Sequence, residues 1–276
     1  MAGEQKTQQA LIPPLPPRRA GRSSWEVFLT AVHAFLLREM KAQYGRARLG
    51  YFWALAEPAA TVAILTGLHA SVAGGGAVIY QESPIIFFVF GAVPYFLFSN
   101  SLSQTQGVCM SQKGLFNYRQ IKPIDIMLAR SVIDALMMTG VLLVFLLGWY
   151  WMGLKMPEIR MLELAFALFS LYVLGLSLGL VFEVFGTVFQ DLRKIFSIAT
   201  RPLFFVSGAF FTMTMLPGGL GNVLYLNPIL HGIDLARDAV MAGYESPASW
   251  LYLWGCILLL QFIGLAAYRR YLYQLI

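Results

Sequence analysis

The 276-residue chain is 58% hydrophobic and only 12% charged, with a formal net charge of +6. A soluble domain of this size carries roughly a quarter charged residues, and one soluble core cannot hide so much apolar surface. The composition excludes a soluble protein. The basic residues flank apolar stretches, so the positive charge speaks for membrane orientation rather than nucleic acid.

Residues 1–22 are polar, with a proline-rich run at Pro13–Pro17 followed by Arg18, Arg19 and Arg22. Such a segment buries little and favours an extended backbone, so a disordered cytoplasmic tail is expected. No basic stretch leads directly into an apolar core with a small-residue cleavage site, and no cleaved signal peptide is expected.

Ser23-Ser24-Trp25-Glu26 fits a capping box, in which serine and glutamate satisfy the first unpaired N–H groups of a helix. Trp25, Phe28, Leu29, Val32, Leu36 and Met40 then recur at three- and four-residue spacing, with Glu26, Thr30, His33, Arg38 and Lys41 between them. This pattern predicts an amphipathic helix in the membrane interface over 23–48. An extra membrane span is the alternative, and charges at both ends argue against it.

A bilayer core needs about 20 apolar residues in a helix. Residues 49–276 supply six candidates: 52–73, 84–103, 126–153, 162–188, 195–216 and 249–268. Arg201-Pro202 blurs the start of the fifth. The fold class expected is all-α integral membrane with six transmembrane helices. Six spans place both termini on one side. With that side inside, seventeen of the 20 Lys and Arg residues fall on inner segments, leaving Lys155, Arg160 and Arg237 outside. This asymmetry puts both termini in the cytoplasm. The outer segment 217–248 is too long for a simple turn and too polar to cross, which suits short helices packed at the outer mouth.

Charged residues inside spans cost about 2.5–3.5 kcal/mol at the bilayer centre on insertion scales, so each invites explanation. Glu57-Pro58 lies one turn into the first span, as a structural carboxylate at a helix or dimer contact or as a site residue. Arg130 and Asp134 share a face of the third span and can pair, for structure or for transport. Glu183, late in the fourth, is either structural or in contact with a basic inner loop or a partner. Gly175 and Gly179 form G-x-x-x-G, which lets helices approach closely. Ser99, Asn100, Ser101, Ser103 and Gln104 make the inner end of the second span polar. That face either lines a wet passage or simply leaves the membrane. Tyr95, Phe96, Trp149, Trp151, Tyr225, Trp250 and Trp254 suit an interfacial aromatic belt, or stacking on sugar rings. Cys109 and Cys256, and the scattered His33, His69 and His231, give no disulfide framework, metal site or catalytic constellation. No GxxxxGK[ST] loop for ATP is present.

Lys41–Pro58 reads Lys-Ala-Gln-Tyr-Gly-Arg-Ala-Arg-Leu-Gly-Tyr-Phe-Trp-Ala-Leu-Ala-Glu-Pro. It resembles the signature of ABC-2 type exporter permeases: a basic residue, then Tyr-x-x-(Ser/Ala)-x-Leu-Gly-x-x-Trp, then Glu/Asn-Pro. Asn117–Pro123 is similar to that family's inner loop after the second span. Phe189-Gln190-Asp191-Leu192-Arg193 resembles its Phe-Arg-Asp-Leu loop, with Gln190 where many relatives have arginine. Tyr225-Leu226-Asn227-Pro228-Ile229 with His231 resembles its Asn-Pro segment before the last span. The match covers about residues 30–270, and is strongest to permeases exporting capsular polysaccharide from Gram-negative bacteria, with O-antigen and teichoic-acid permeases as near relatives.

The resemblance implies a subunit in the inner membrane that binds no cofactor itself. ATP and Mg²⁺ belong to two copies of a separate nucleotide-binding ATPase subunit. It implies a second copy of the chain, and a lipid-linked polysaccharide passing along the dimer interface. A periplasmic or outer-membrane export partner is compatible with it. Phe116, Asn117, Tyr118, Arg119 and Lys122 would couple to the ATPase. Tyr225, Asn227, Pro228, His231 and Arg237 would belong to short periplasmic gate helices. Arg38, Lys41, Arg46 and Arg48 would meet an acidic chain or lipid phosphate at the inner entry, or merely anchor the membrane. Asn100, Ser103, Arg130 and Asp134 are the candidates for the channel wall. Three other readings remain open at this point. An exporter permease of the same fold for a small molecule usually lacks the basic amphipathic start. A membrane-embedded sugar or lipid transferase would need clustered acidic residues. An ion-coupled carrier would show inverted repeats.

Overall fold

A computed structural model describes residues 38, 40–41, 50–73, 82–111, 122–215, 221 and 223–275. The expected tail at 1–22 and nearly all of the expected interfacial helix at 23–48 lie outside them; Arg38, Met40 and Lys41 are helical.

Among the described residues the fold is helical throughout, with no strand. Seven helices follow in order: α1 (Gly50–Ala73), α2 (Pro84–Thr105), α3 (Pro123–Trp151), α4 (Met161–Val188), α5 (Gln190–Val206), α6 (Pro228–Asp238) and α7 (Trp250–Leu275). A single helical turn, Val108–Ser111, follows α2, and a 3-10 turn, Met213–Met215, follows α5. Four helices are long and apolar enough to cross a membrane: α2, α3, α4 and residues 250–271 of α7. At 24 residues α1 is about 36 Å long, more than a bilayer core.

Local chemistry sets the helix ends. Ser83 caps α2 by accepting from Ile86 N at 3.3 Å. Pro84 and Pro123 begin α2 and α3, where a missing N–H costs nothing. Asp125 in the first turn of α3 accepts from the Lys122 backbone N–H at 3.2 Å. The expected spans 52–73, 84–103, 126–153 and 162–188 end within three residues of α1, α2, α3 and α4, the last runs seven residues beyond its expected end at 268, and the fifth departs most. The fifth was expected to reach residue 216, but α5 stops at Val206 after 17 residues. The chain turns at Ser207-Gly208, where Gly208 has φ +85°. Apolarity alone carried the expected span through that turn.

α2 lies at the centre, packed on α1, α3, α4 and α6, while α4 also contacts α5, α6 and α7. Phe87, Phe88, Phe90 and Phe98 of α2 are fully enclosed. α5 runs back along α4, with Phe196 stacked on Phe182 at 3.9 Å between ring centroids. Ser177 on α4 donates to Gln261 on α7 at 2.6 Å. The outer sides of α3 and α7 stay bare: Leu147 is 66% exposed and Leu251 85%. Such faces suit lipid or another apolar chain.

Candidate functional site

Three helices line a half-open cavity of about 400 Å³. Glu57, Pro58 and Thr61 come from α1. Phe96, Asn100 and Gln104 form one stripe of α2 at four-residue spacing. Asp134, Met137 and Met138 come from α3. Each set shares one helix face, as the 3.6-residue repeat requires. Pro58 lacks the N–H that would bond the carbonyl of residue 54, and Thr61 donates back to the Glu57 carbonyl at 2.9 Å. The walls therefore offer two carboxylates, two amides, a hydroxyl and one aromatic ring. This set can hydrogen-bond hydroxyl-rich material. Among the described residues no three His, Cys, Asp or Glu side chains stand together for a metal ion.

Of the four channel-wall candidates, the structure brings Asn100 and Asp134 into this cavity. Ser103 is exposed and donates to the Ser99 carbonyl at 2.8 Å. Arg130 is half-buried one turn before Asp134 on α3. Thr61, Met137 and Met138 were not expected in the lining, because such residues populate any helix wall; Phe96 is one of the aromatics offered for stacking on sugar rings. The two methionines carried no signal; Glu57-Pro58 four residues before Thr61 was the one hint.

Arg38 and Lys41 are exposed; Arg46 and Arg48 lie outside the described residues. So do Phe116, Asn117, Tyr118 and Arg119. Lys122, exposed, stands at the start of α3.

Tyr225, Asn227, Pro228, His231 and Arg237 come together around α6. Asn227 caps that helix by accepting from Ile229 N at 3.0 Å, and its amide donates to the Val206 carbonyl at 3.3 Å. Pro228 is the first helical residue. Tyr225 donates its hydroxyl to the Met213 carbonyl at 3.3 Å. Arg237 is wholly enclosed and donates to the carbonyls of Phe87, Gly208, Ala209 and Phe211. Asp234, also enclosed, accepts from Met213 N at 3.3 Å, Ser246 Oγ at 2.8 Å and the Tyr244 hydroxyl. Burial pushes its carboxyl above the usual range, against the opposing pull of these donors and Arg237. The five residues build a packed joint between the α5 exit and α6.

His231 supplies a pH test of that joint. Its Nδ1 accepts from Ser249 N at 3.0 Å, so Nε2 carries the proton and donates to the Tyr225 carbonyl at 2.8 Å. A second ring proton would face the Ser249 N–H. Burial holds the imidazole below its ordinary 6.5, outweighing the upward pull of the Tyr225 carbonyl and Asp234. The unfolded chain therefore binds the proton first as pH falls. The stability is complete above about 6.5 and declines below it. The thermal midpoint in detergent should drop between pH 7.5 and 5.5, and His231→Gln should flatten this component of the slope. An unchanged slope would remove His231 as its source.

The family model described as ABC-2 type transporter matches residues 30–241. The chain belongs to the ABC-2 type transporter family. This permease is 36% identical over 254 residues to the polysialic acid transport protein KpsM of Escherichia coli, covering 90% of the chain and 96% of the relative. It is 25% identical over 260 residues to the capsule polysaccharide export inner-membrane protein CtrC of Neisseria meningitidis serogroup B, covering 90% and 95%. The corresponding protein BexB of Haemophilus influenzae is 23% identical over 223 residues, covering 78% and 82%. Membership in this family and the apolar helices make the chain a multi-pass membrane protein.

Proposed function

We propose that this permease is the membrane subunit of an ATP-driven exporter that carries lipid-linked capsular polysaccharide across the inner membrane. The observation that carries this reading is the 36% identity to a polysialic acid transport protein along nearly the whole of both chains. In this reading α1 and the α5 region complete six spans with both termini cytoplasmic. Two copies pair, and the polymer passes between them. Two ATPase subunits bind ATP and Mg²⁺ and dock on the segment containing Phe116–Arg119. The basic residues around Arg38–Arg48 receive the acidic polymer or its lipid phosphate. The α6 joint frames the exit.

The α1–α3 cavity suits part of the conduit wall. Hydroxyls and amides give repeated weak contacts, which a moving chain needs in order to leave as well as enter.

Thr61→Trp tests this reading, because residue 61 is exposed on α1 and its side chain opens into the cavity. Indole bulk should fill the space. Surface polysaccharide should fall to the level of cells lacking the gene, while permease accumulates normally in the membrane. An inactivated ATPase subunit should give the same phenotype. Surface polysaccharide that survives loss of the gene would sink the reading; if only Thr61→Trp leaves it unchanged, the cavity is not in the conduit.

A further inference from the structure

Glu183 is a buried carboxylate that the conduit does not use. It sits near the end of α4 and is 1% exposed. Its Oε1 accepts from Cys109 N at 2.8 Å, and its Oε2 from Gly107 N. These two N–H groups belong to the bend and single turn where the chain leaves α2. Gly107 takes φ +76° there, a backbone region open to glycine at little cost. One carboxylate therefore fastens the Gly107–Ser111 turn to the end of α4. Charge-assisted bonds of this kind are stronger than neutral ones.

The same carboxylate faces a second element. Arg193 Nη2, on α5, lies 3.8 Å from Glu183 Oε2 and 3.3 Å from Thr187 Oγ1. Arg193 is half-buried. Its contact with Glu183 is an ion pair without a close hydrogen bond, looser than the pair of bonds to the turn. Around both, Val108, Cys109, Ile126, Met127, Leu180, Val184 and Tyr268 pack into one apolar plug at this end of the bundle. The plug stands just before residues 112–121, which lead to α3. Burial and the Glu183 charge both push the Cys109 thiol up, so it stays neutral there.

We infer that Glu183 is a positioning residue that transmits movement of the cytoplasmic segment 112–121 to α4 and, through Arg193, to α5. This rests on the reading that segment 112–121 docks on the ATPase. The logic is mechanical. A pull on residue 112 acts on the Gly107–Ser111 turn. That turn is joined to α4 by two bonds to one side chain; α5 is held both by that side chain's attraction for Arg193 and by Arg193 Nη1, which meets Met110 Sδ of the same turn at 2.6 Å. Glu183 thus holds α4 by hydrogen bonds and α5 by charge, and Arg193, which touches both Glu183 and the turn, is the point where the two ties meet.

Glu183→Gln tests the tie. The amide keeps one acceptor oxygen but turns an NH₂ toward one of the two backbone N–H groups, and it removes the charge that faces Arg193. Two quantities are measured: Mg-ATP hydrolysis by the purified complex of permease and ATPase subunits, and total sugar recovered from the surface of intact cells. Hydrolysis should stay near the wild-type rate while surface sugar falls about tenfold, within the roughly 5–150-fold range of coupling between sites. Arg193→Gln, which leaves the turn bonded to α4, should shift the ratio in the same direction without lowering the thermal midpoint. A purely structural carboxylate would lower hydrolysis, surface sugar and midpoint together in Glu183→Gln, and that result overturns the inference. So does a wild-type ratio in either variant. If deleting the permease leaves surface sugar intact, the functional reading fails first; if deletion abolishes it and both variants export normally, only the role of Glu183 falls.

Discussion

Replacing Arg237 with methionine should leave almost no folded permease in the membrane. The guanidinium is 0% exposed and lies 4.0 Å above the Phe87 ring. Its Nε donates to the Phe87 carbonyl at 3.2 Å, Nη1 to the Phe211 carbonyl at 2.7 Å and to that of Gly208, and Nη2 to the Ala209 carbonyl at 2.7 Å. Residues 207–212 lie outside any helix, so Arg237 supplies donors where a helical ladder would have done so. Methionine matches the length and apolar stem but offers no donor. Each buried carbonyl left without one costs about 1–3 kcal/mol, and the loss of several is comparable with a total stability of about 5–15 kcal/mol. Arg237→Lys should rescue only in part, because one ammonium cannot span the fork that the guanidinium fills. Gly91 belongs to the same slot: a Cβ there would lie 2.6 Å from the Ala209 carbonyl and 2.9 Å from the guanidinium carbon. Membrane-fraction immunoblots and the thermal midpoint in detergent check the result. An Arg237→Met protein that accumulates and melts like wild type would show that these bonds carry little.

Arg237 also marks where the sequence stops being legible. Apolar runs near 20 residues reveal helices, and Pro84, Pro123 and Asn227-Pro228 reveal where three of them start, because those signals are local. The partner of Arg237 is a set of carbonyls that includes Phe87, 150 positions away, and carbonyls leave no trace in residue identity. An arginine among Asp234, Asp238 and Asn227 therefore reads only as part of the short outer helices expected over 217–248, with nothing to show that it is wholly enclosed. The early end of α5 has the same cause, since Ser207-Gly208 is one small polar step inside an apolar stretch. Within the cavity, Asn100, Asp134 and Glu57 stood out because polar groups in a span demand a reason. Met137 and Met138 did not, because apolar residues in a span demand none, and Phe96 stood out only as one aromatic among several. Glu183 fell between: contact with a basic inner loop or a partner was one of its two readings, and the structure pairs it with Arg193 on α5, yet the two backbone N–H groups it holds were invisible.

Gly175→Val should separate α2 from α4 and reduce the amount of stable permease. A Cβ at Gly175 would lie 2.6 Å from the Phe98 carbonyl and 3.3 Å from Leu102 N; one at Gly179 would lie 3.0 Å from the Leu102 carbonyl and collide with Thr105 Oγ1. At both positions the obstacle includes backbone of α2, which cannot move aside by changing rotamer. Small residues at four-residue spacing are what allow two membrane helices to come this close. Overpacking a close contact typically costs about 1–3 kcal/mol. Here the cost spreads, because α2 carries Asn100 and Gln104 into the cavity, and α4 carries Glu183 to the turn after α2. Gly67→Ala, Gly148→Ala and Gly255→Ala are the contrast. Nothing lies within 4 Å of a Cβ at any of these three helical positions. Alanine there should be neutral or stabilising by roughly 0.5–1 kcal/mol, the usual helical advantage over glycine. The comparison separates a seam from a general tolerance for small residues. A Gly175→Val permease that melts no lower than Gly255→Val would mean that α2 and α4 are held together by something other than their backbone approach.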